Sequence, residues 1–365
     1  MKMTKMKKLT SVLLAVVMAM GLMVPAWATE PLEEANQEPK YTYEFISLMD
    51  IDKYPEIETL LTQSNAELID YDAALENEKE QYVQTVNQYL SEAGIAEVSA
   101  EEIESVQQAY GLAESAQQYL ENAVAEDYQL LIQYDSKTKD ISNAWKIQPT
   151  TTKAGFSFKL TNIGVDSIDS ISGKVTLYRL SGNSWLTGAG NTSSFTKTNV
   201  KSGIFYTWST PVYYVAEKFE YAYTVKEDTA VRSYSNAGKD NEIRYNFAAG
   251  AYQPMAALGG ERHHFISQNT LSAYDYDVNK AYAIRMTHAD HVLTGNWGSS
   301  AAAKNFRARE SQYLANKQYK DLIMLEVEDF TSKQDSYGRE NLGTKYSPEI
   351  AACAIYYQNL FGITL

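Results

Sequence analysis

The spacing of the apolar residues changes once along this chain, near Ile141, and that change calls for two different kinds of core. Before it, Leu68, Tyr71, Leu75, Tyr82, Val86 and Leu90 recur at helical intervals with Glu and Gln between them. Ser99-Ala-Glu-Glu102 has the form of a capping box and predicts the start of another helix, whose stripe runs through Ile103, Val106, Tyr110, Ala113, Tyr119 and Leu120. After Ile141 the period becomes two. Phe156-Ser-Phe158-Lys-Leu160, Lys174-Val-Thr-Leu-Tyr178, Phe205-Tyr-Thr-Trp208 and Phe219-Glu-Tyr-Ala-Tyr-Thr-Val225 are rich in aromatic and β-branched residues. Gly- and Asn-bearing turns such as Leu180-Ser-Gly-Asn-Ser184 and Gly188-Ala-Gly-Asn191 separate them. This spacing predicts an antiparallel β-sandwich of about seven strands, immunoglobulin-like in architecture. Trp145, Trp185 and Trp208 fit its core or strand flanks, with a carbohydrate-binding platform as the other reading.

Charge divides the chain along the same line. Residues 29–140 hold 26 acids and 5 bases, residues 141–250 hold 8 and 12, and residues 251–365 hold 12 and 11. The overall net charge of -14 therefore originates in the first third. An extended lead over Glu30 to Lys40 precedes an acidic helical region of roughly two to four helices. Its acidic face is either a solvated surface or a polyanion-like one that restrains the C-terminal part.

The first residues have the three parts of a secretory signal: four lysines before Leu9, an apolar run from Val12 to Val24, and Ala26-Trp27-Ala28 as a cleavage site. Cleavage near Ala28 is expected, and an uncleaved anchor is the alternative. No later segment approaches the roughly 20 apolar residues that cross a bilayer. The single cysteine, Cys353, excludes an intramolecular disulfide and a multi-cysteine zinc site. In Ala-Ala-Cys-Ala-Ile it reads as a buried small residue. Secretion without disulfides fits a Gram-positive bacterium.

All four histidines, His263, His264, His288 and His291, lie within 29 positions. They fall in Gly259-Gly-Glu-Arg-His-His-Phe-Ile-Ser267 and in Ala283-Ile-Arg-Met-Thr-His-Ala-Asp-His291. Adjacent histidines on a strand direct their imidazoles apart, so that one is able to bind a cation while the other stays free as a base. Thr287 is placed to cap a helix with Asp290 at its third position, which puts His291 on the first turn. Further helices are predicted over Ser300–Asn316 and Tyr319–Phe330. A last one opens at Ser347-Pro-Glu-Ile with Ser347 as its cap.

Together with Asn305-Phe-Arg-Ala-Arg309, these stretches resemble the HNH, or His-Me finger (ββα-metal), nucleases, in particular those at the C-termini of secreted bacterial toxins. The resemblance covers residues 259–365. For that stretch it implies a ββα-metal domain with added helices over 251–365, so the chain as a whole is expected to be a multidomain α+β protein: signal peptide 1–28, acidic helical region 29–140, sandwich 141–250 and this domain. It also implies a secreted endonuclease acting on DNA or RNA, with a divalent ion (Mg, Mn, Ni or Zn) as cofactor, and for a toxin an immunity protein as partner. His264 would be the general base, with Arg262 and Asn279 also in the catalytic group. His263 and His291 would hold the cation, with His288 and Asp290 as further ligands or, for Asp290, an orienting acid. Arg262, Arg285, Arg307 and Arg309 would clamp phosphates. Arg307 and Arg309 also fit surface pairing with Glu310 or Asp321. The place four residues after His291, a histidine in colicin-type relatives, is Gly295.

A surface or matrix-binding protein with a structural or degenerate histidine site is the rival reading. The near-neutral balance of residues 251–365 keeps it open, because nucleic-acid binders are ordinarily basic. No convincing carboxylate pair supports a carbohydrate-active enzyme.

Overall fold

The computed structural model describes residues 41–47, 53–55, 71–127, 129–135, 141–152, 155–162, 168–181, 184–186, 192–201, 205–210, 216–227, 230–235, 242–245, 247–258, 260–336, 338 and 340–364. The expected signal peptide, the extended lead and Leu68 lie outside them, as do the side chains of Trp145, Trp185 and Trp208.

The fold is α+β with antiparallel sheets. Its strands are β1 (Tyr41–Ser47), β2 (Gln129–Asp135), β3 (Ile141–Thr152), β4 (Gly155–Asn162), β5 (Ile168–Ser181), β6 (Ser184–Leu186), β7 (Thr192–Val200), β8 (Phe205–Thr210), β9 (Ala216–Glu227), β10 (Ala230–Ser235) and β11 (Glu242–Tyr245). One sheet has the order β1-β2-β3-β4-β8; a second runs β10-β9-β5-β6, with β11 on β9 and β7 on β5. The acidic third is thus not helical throughout. It contributes β1 and β2, paired from Tyr41 opposite Asp135 to Ser47 opposite Gln129. Tyr41, Tyr43 and Phe45 alternate with Thr42 and Glu44, a strand signal that the surrounding acids mask. Proline sits in β3 without breaking the sheet because β2 stops opposite Ile147, so Pro149 faces a partner on the β4 side only.

Three helices fill residues 71–127: α1 (Tyr71–Ser91), α2 (Ala100–Tyr110) and α3 (Ala113–Asp127). The capping box at α2 is complete, with Glu102 N–H donating to Ser99 Oγ at 3.2 Å and Ser99 N–H to Glu102 Oε2 at 2.8 Å. Gly111 ends the helix in the left-handed conformation that glycine adopts at least cost (φ 79°).

The remainder is a three-stranded sheet with helices. Strands β12 (Ala248–Ala251), β13 (Glu261–His264) and β14 (Tyr282–Met286) pair in the order β12-β14-β13. The helices are α4 (Gln268–Ala273), α5 (His288–His291), α6 (Ala301–Ala315), α7 (Tyr319–Thr331), α8 (Leu342–Lys345) and α9 (Ser347–Phe361). Ser300, expected as the first residue of a helix, caps α6. Ser347, by contrast, is the first residue of α9 and not its cap: its hydroxyl is 2.9 Å from that of Tyr82 on α1.

That bond is one of several joining the acidic helices to the C-terminal part. Helix α9 is buried on nearly every side, which requires cover all round. α1, α2 and α3 provide it on one side and β14 and α7 on another. Tyr82, Val86, Tyr89, Leu90, Ile103, Val106 and Tyr110 belong to the same hydrophobic cluster as Tyr282, Phe330, Ile350, Ala351 and Tyr357. Tyr89 and Tyr282 place rings in the core and satisfy their hydroxyls: Tyr89 Oη lies 2.9 Å from Glu349 Oε1, and Tyr282 Oη donates to Tyr89 O at 2.6 Å. Each such side chain contributes about 1.5–3 kcal/mol by leaving water. The sheet that carries the histidines therefore draws its stability from the acidic helices as well as from its own residues.

Candidate active site

β13 has two faces, and its alternation sorts the chemistry. Glu261 and His263 point to one, Arg262 and His264 to the other. β14 holds them in register, with Ile284 opposite His263 and Ala283 opposite His264. β14 then runs into Thr287, whose hydroxyl caps α5 by accepting from Asp290 N–H at 3.2 Å. This short connection delivers His288 and His291 to the first face of β13.

On that face the rings of His263 and His291 meet edge to face at 5.0 Å between centroids. Glu261 bridges the other side. Its Oε1 lies 2.6 Å from His288 Nδ1, and its Oε2 contacts His291 Nδ1. Burial works to raise the Glu261 carboxyl, but the bonds from His291 and His288 win and hold it below the usual carboxylate range. An ionised carboxylate only accepts, so Nδ1 of His291 carries the proton and Nε2 keeps its lone pair. Glu261 was not singled out among the sequence candidates. Its position two before His263 on a strand was the available signal.

His263 is fully enclosed, and neither ring nitrogen has a hydrogen-bond partner among the described residues. Leaving a buried polar atom unsatisfied costs about 1–3 kcal/mol. A cation supplies the kind of partner that such a lone pair lacks. Among the described residues no three His, Cys, Asp or Glu side chains form a ready ligand group. The residues present fit a two-histidine site, His263 with His291, whose other positions are open to water or phosphate oxygens.

On the opposite face, His264 stacks on Tyr252 at 4.0 Å, and Arg262 lies 4.2 Å above the same ring. His264 Nε2 is 3.0 Å from the carbonyl of Val278. A carbonyl cannot donate, so this nitrogen bears the hydrogen and Nδ1 is the basic one. Burial lowers the pKa of His264, with the charges of Arg262 and His291 adding to it, so the ring is neutral near pH 7. Orientation thus comes from the main chain of Val278. Asn279, expected in the catalytic group, is exposed in the turn before β14, where its N–H donates to Asp277 Oδ1.

Asp290 is not a metal ligand here. It is completely buried, 2.8 Å from Lys345 Nζ, and accepts from Tyr346 Oη and Ser336 N–H, each at 2.8 Å. Burial would raise its pKa, but Lys345 and these bonds hold it below the ordinary value. Three of the expected phosphate clamps hold loops as well. Arg262 donates to Tyr252 O and Met255 O, Arg285 to Ala256 O, and Arg307 to Asn296 O and Gly298 O. Arg307 does not pair with Glu310, whose carboxylate accepts from Ser267 N–H and from the hydroxyls of Ser267 and Thr270. Arg309 is exposed on α6. At Gly295, a Cβ would stand 2.6 Å from both Asp329 Oδ1 and the Phe306 ring. A larger side chain at this place would require both neighbours to shift.

His263, His264 and His291 are all shifted below about 6.5 by burial. Each binds a proton more readily in the unfolded chain, so stability is full above that value and falls as pH drops through it. Glu326 and Asp329 oppose this: burial raises the pKa of both, with the neighbouring Glu310 adding to it, so their contribution is full at low pH and declines as pH rises. Between pH 6.5 and 5 the three histidines outnumber the two raised carboxyls. In EDTA the melting temperature is expected to fall between roughly pH 6.5 and 5, and less steeply in His263→Leu. Parallel curves for wild type and variant would show that His263 is not the group responsible.

No protein-family model matches the chain, and neither a curated protein nor a solved structure shows significant similarity to it.

Proposed function

We propose that this chain is a secreted, metal-dependent nuclease that hydrolyses phosphodiester bonds of DNA or RNA at a ββα-metal site. The observation that carries the proposal is the division of labour on β13. His264 is neutral with its Nδ1 lone pair defined by Val278, while His263 faces His291 with unsatisfied nitrogens. His264 takes the proton from an attacking water, and the stacked Tyr252 keeps the imidazole from rotating away. His263 and His291 would hold the divalent ion, with Glu261 fixing the tautomer of His291. When bound, the ion supplies charge stabilisation at the phosphoryl group and the departing oxygen. Residues 251–365 form the catalytic part of a toxin effector, the two larger sheets pack as a sandwich that presents it, and an immunity protein is its natural inhibitor. The test is cleavage of plasmid and single-stranded substrates by the chain from Thr29 onward, with and without chelator.

A binding protein with a degenerate site is the second reading. One observation favours it: Glu261 already engages Nδ1 of both His288 and His291, and no third ligand is assembled beside them among the described residues. Absence of metal-stimulated cleavage selects it.

A further inference from the structure

We infer that Trp297 is a stacking platform for an unpaired base and that the preferred substrate is therefore single-stranded, a specificity that rests on the nuclease reading above. Trp297 is among the most exposed large apolar side chains of the described residues, at 42%, with Leu293 close behind at 38% on the same turn. Scattered exposed apolar residues are ordinary. This one differs in how firmly its backbone is held. Arg307 Nη1 binds the carbonyl before it, Asn296 O at 2.6 Å, and the carbonyl after it, Gly298 O at 3.0 Å. Gly295 N–H donates to Asp329 Oδ2 at 2.6 Å, and Trp297 N–H closes a turn onto Thr294 O. Gly298 has φ +77°, so the turn requires glycine just after the indole. The main chain is clamped while part of the indole stays exposed, which is how a rigid recognition surface is prepared.

The turn also abuts the site. Asn296 Nδ2 donates to the main-chain carbonyl of His264 at 3.4 Å, so the residue beside Trp297 is tied to the backbone that carries the proposed base. Lys304 and Arg309 are exposed on the helix from which Arg307 reaches back, and the first turn of that helix carries no acid. The near balance of 12 acids and 11 bases over residues 251–365 points the same way. Duplex binders draw their affinity mainly from phosphate contacts and need a basic surface. Single strands carry a lower charge density than duplex, and stacking of an unpaired base on an aromatic ring adds to the basic contacts and tolerates any sequence.

The experiment uses the chain from Thr29 onward in EDTA, with fluorescently labelled oligo-dT and a duplex of equal length, followed by cleavage kinetics in the activating metal. Tight binding of oligo-dT over duplex is expected. Trp297→Ala is expected to weaken it roughly 10- to 100-fold and to raise KM for single strands by a similar factor with little change in kcat, while Trp297→Phe recovers most of both. Equal affinity of wild type and Trp297→Ala for oligo-dT, or no binding by wild type, overturns the inference. Binding that depends on Trp297 without cleavage under any metal leaves the platform standing and removes the nuclease reading.

Discussion

Asp290→Ala is expected to destabilise the fold by about 3–5 kcal/mol, because it leaves the buried Lys345 ammonium with only the more distant Asp335 as counter-charge. Both side chains are completely enclosed, Asp290 Oδ2 is 2.8 Å from Lys345 Nζ, and Asp335 Oδ2 is 3.6 Å away on the other side. The loss also orphans Tyr346 Oη and Ser336 N–H. The pair joins the helix bearing His291 to α8 and the turn at Ser336, so the variant loosens the site from behind. Asp290→Asn keeps a side chain that can bond Tyr346 and Ser336 and leaves Asp335 as the counter-charge of Lys345, and is expected to recover a large part of the loss. Urea denaturation checks this, and an Asp290→Ala variant within 1 kcal/mol of wild type (order of magnitude,) would mean that the pair is solvated in solution.

His264→Ala is expected to reduce cleavage by about 100- to 10,000-fold, the usual share of a general base. Its ring does not belong to the main hydrophobic cluster, and its partners, Tyr252 and the Val278 carbonyl, keep their other contacts. The variant is therefore expected to remain folded, which circular dichroism checks. The loss is expected in kcat, with KM for nucleic acid little changed. A fall in stability that accounts for the lost activity would make His264 a packing residue.

The helical stripe and the capping box were legible because they rest on local spacing, and Ser99, Ile103, Val106 and Tyr110 lie where the pattern puts them. β1 and β2 were hidden because acids dilute the alternation of Tyr41, Tyr43 and Phe45, and because their pairing joins residues nearly ninety positions apart. The histidine cluster was legible in sequence, and the structure brings His288 and His291 to Glu261 and His263 against His291. What a side chain does with its charge was not. Asp290 pairs with Lys345 across 55 positions, and Arg307 binds carbonyls on a loop ten residues earlier. Polar partners of this kind depend on the packing of α8 and α6, which no local pattern encodes. The role of the acidic helices was hidden in the same way, since their charge advertises the solvent face while Tyr82 and Tyr89 bind α9.

That shared core decides what to assay: residues 251–365 alone would expose the faces that α1 and α2 cover. The decisive measurement is cleavage of supercoiled plasmid, single-stranded DNA and structured RNA by the chain from Thr29 onward, in EDTA and in Mg, Mn, Ni and Zn, beside His264→Ala. Cleavage that requires a divalent ion, and is lost in a folded His264→Ala protein, is the expected result. A folded protein that cleaves none of these with any metal, or one that His264→Ala leaves equally active, contradicts the proposed nuclease site.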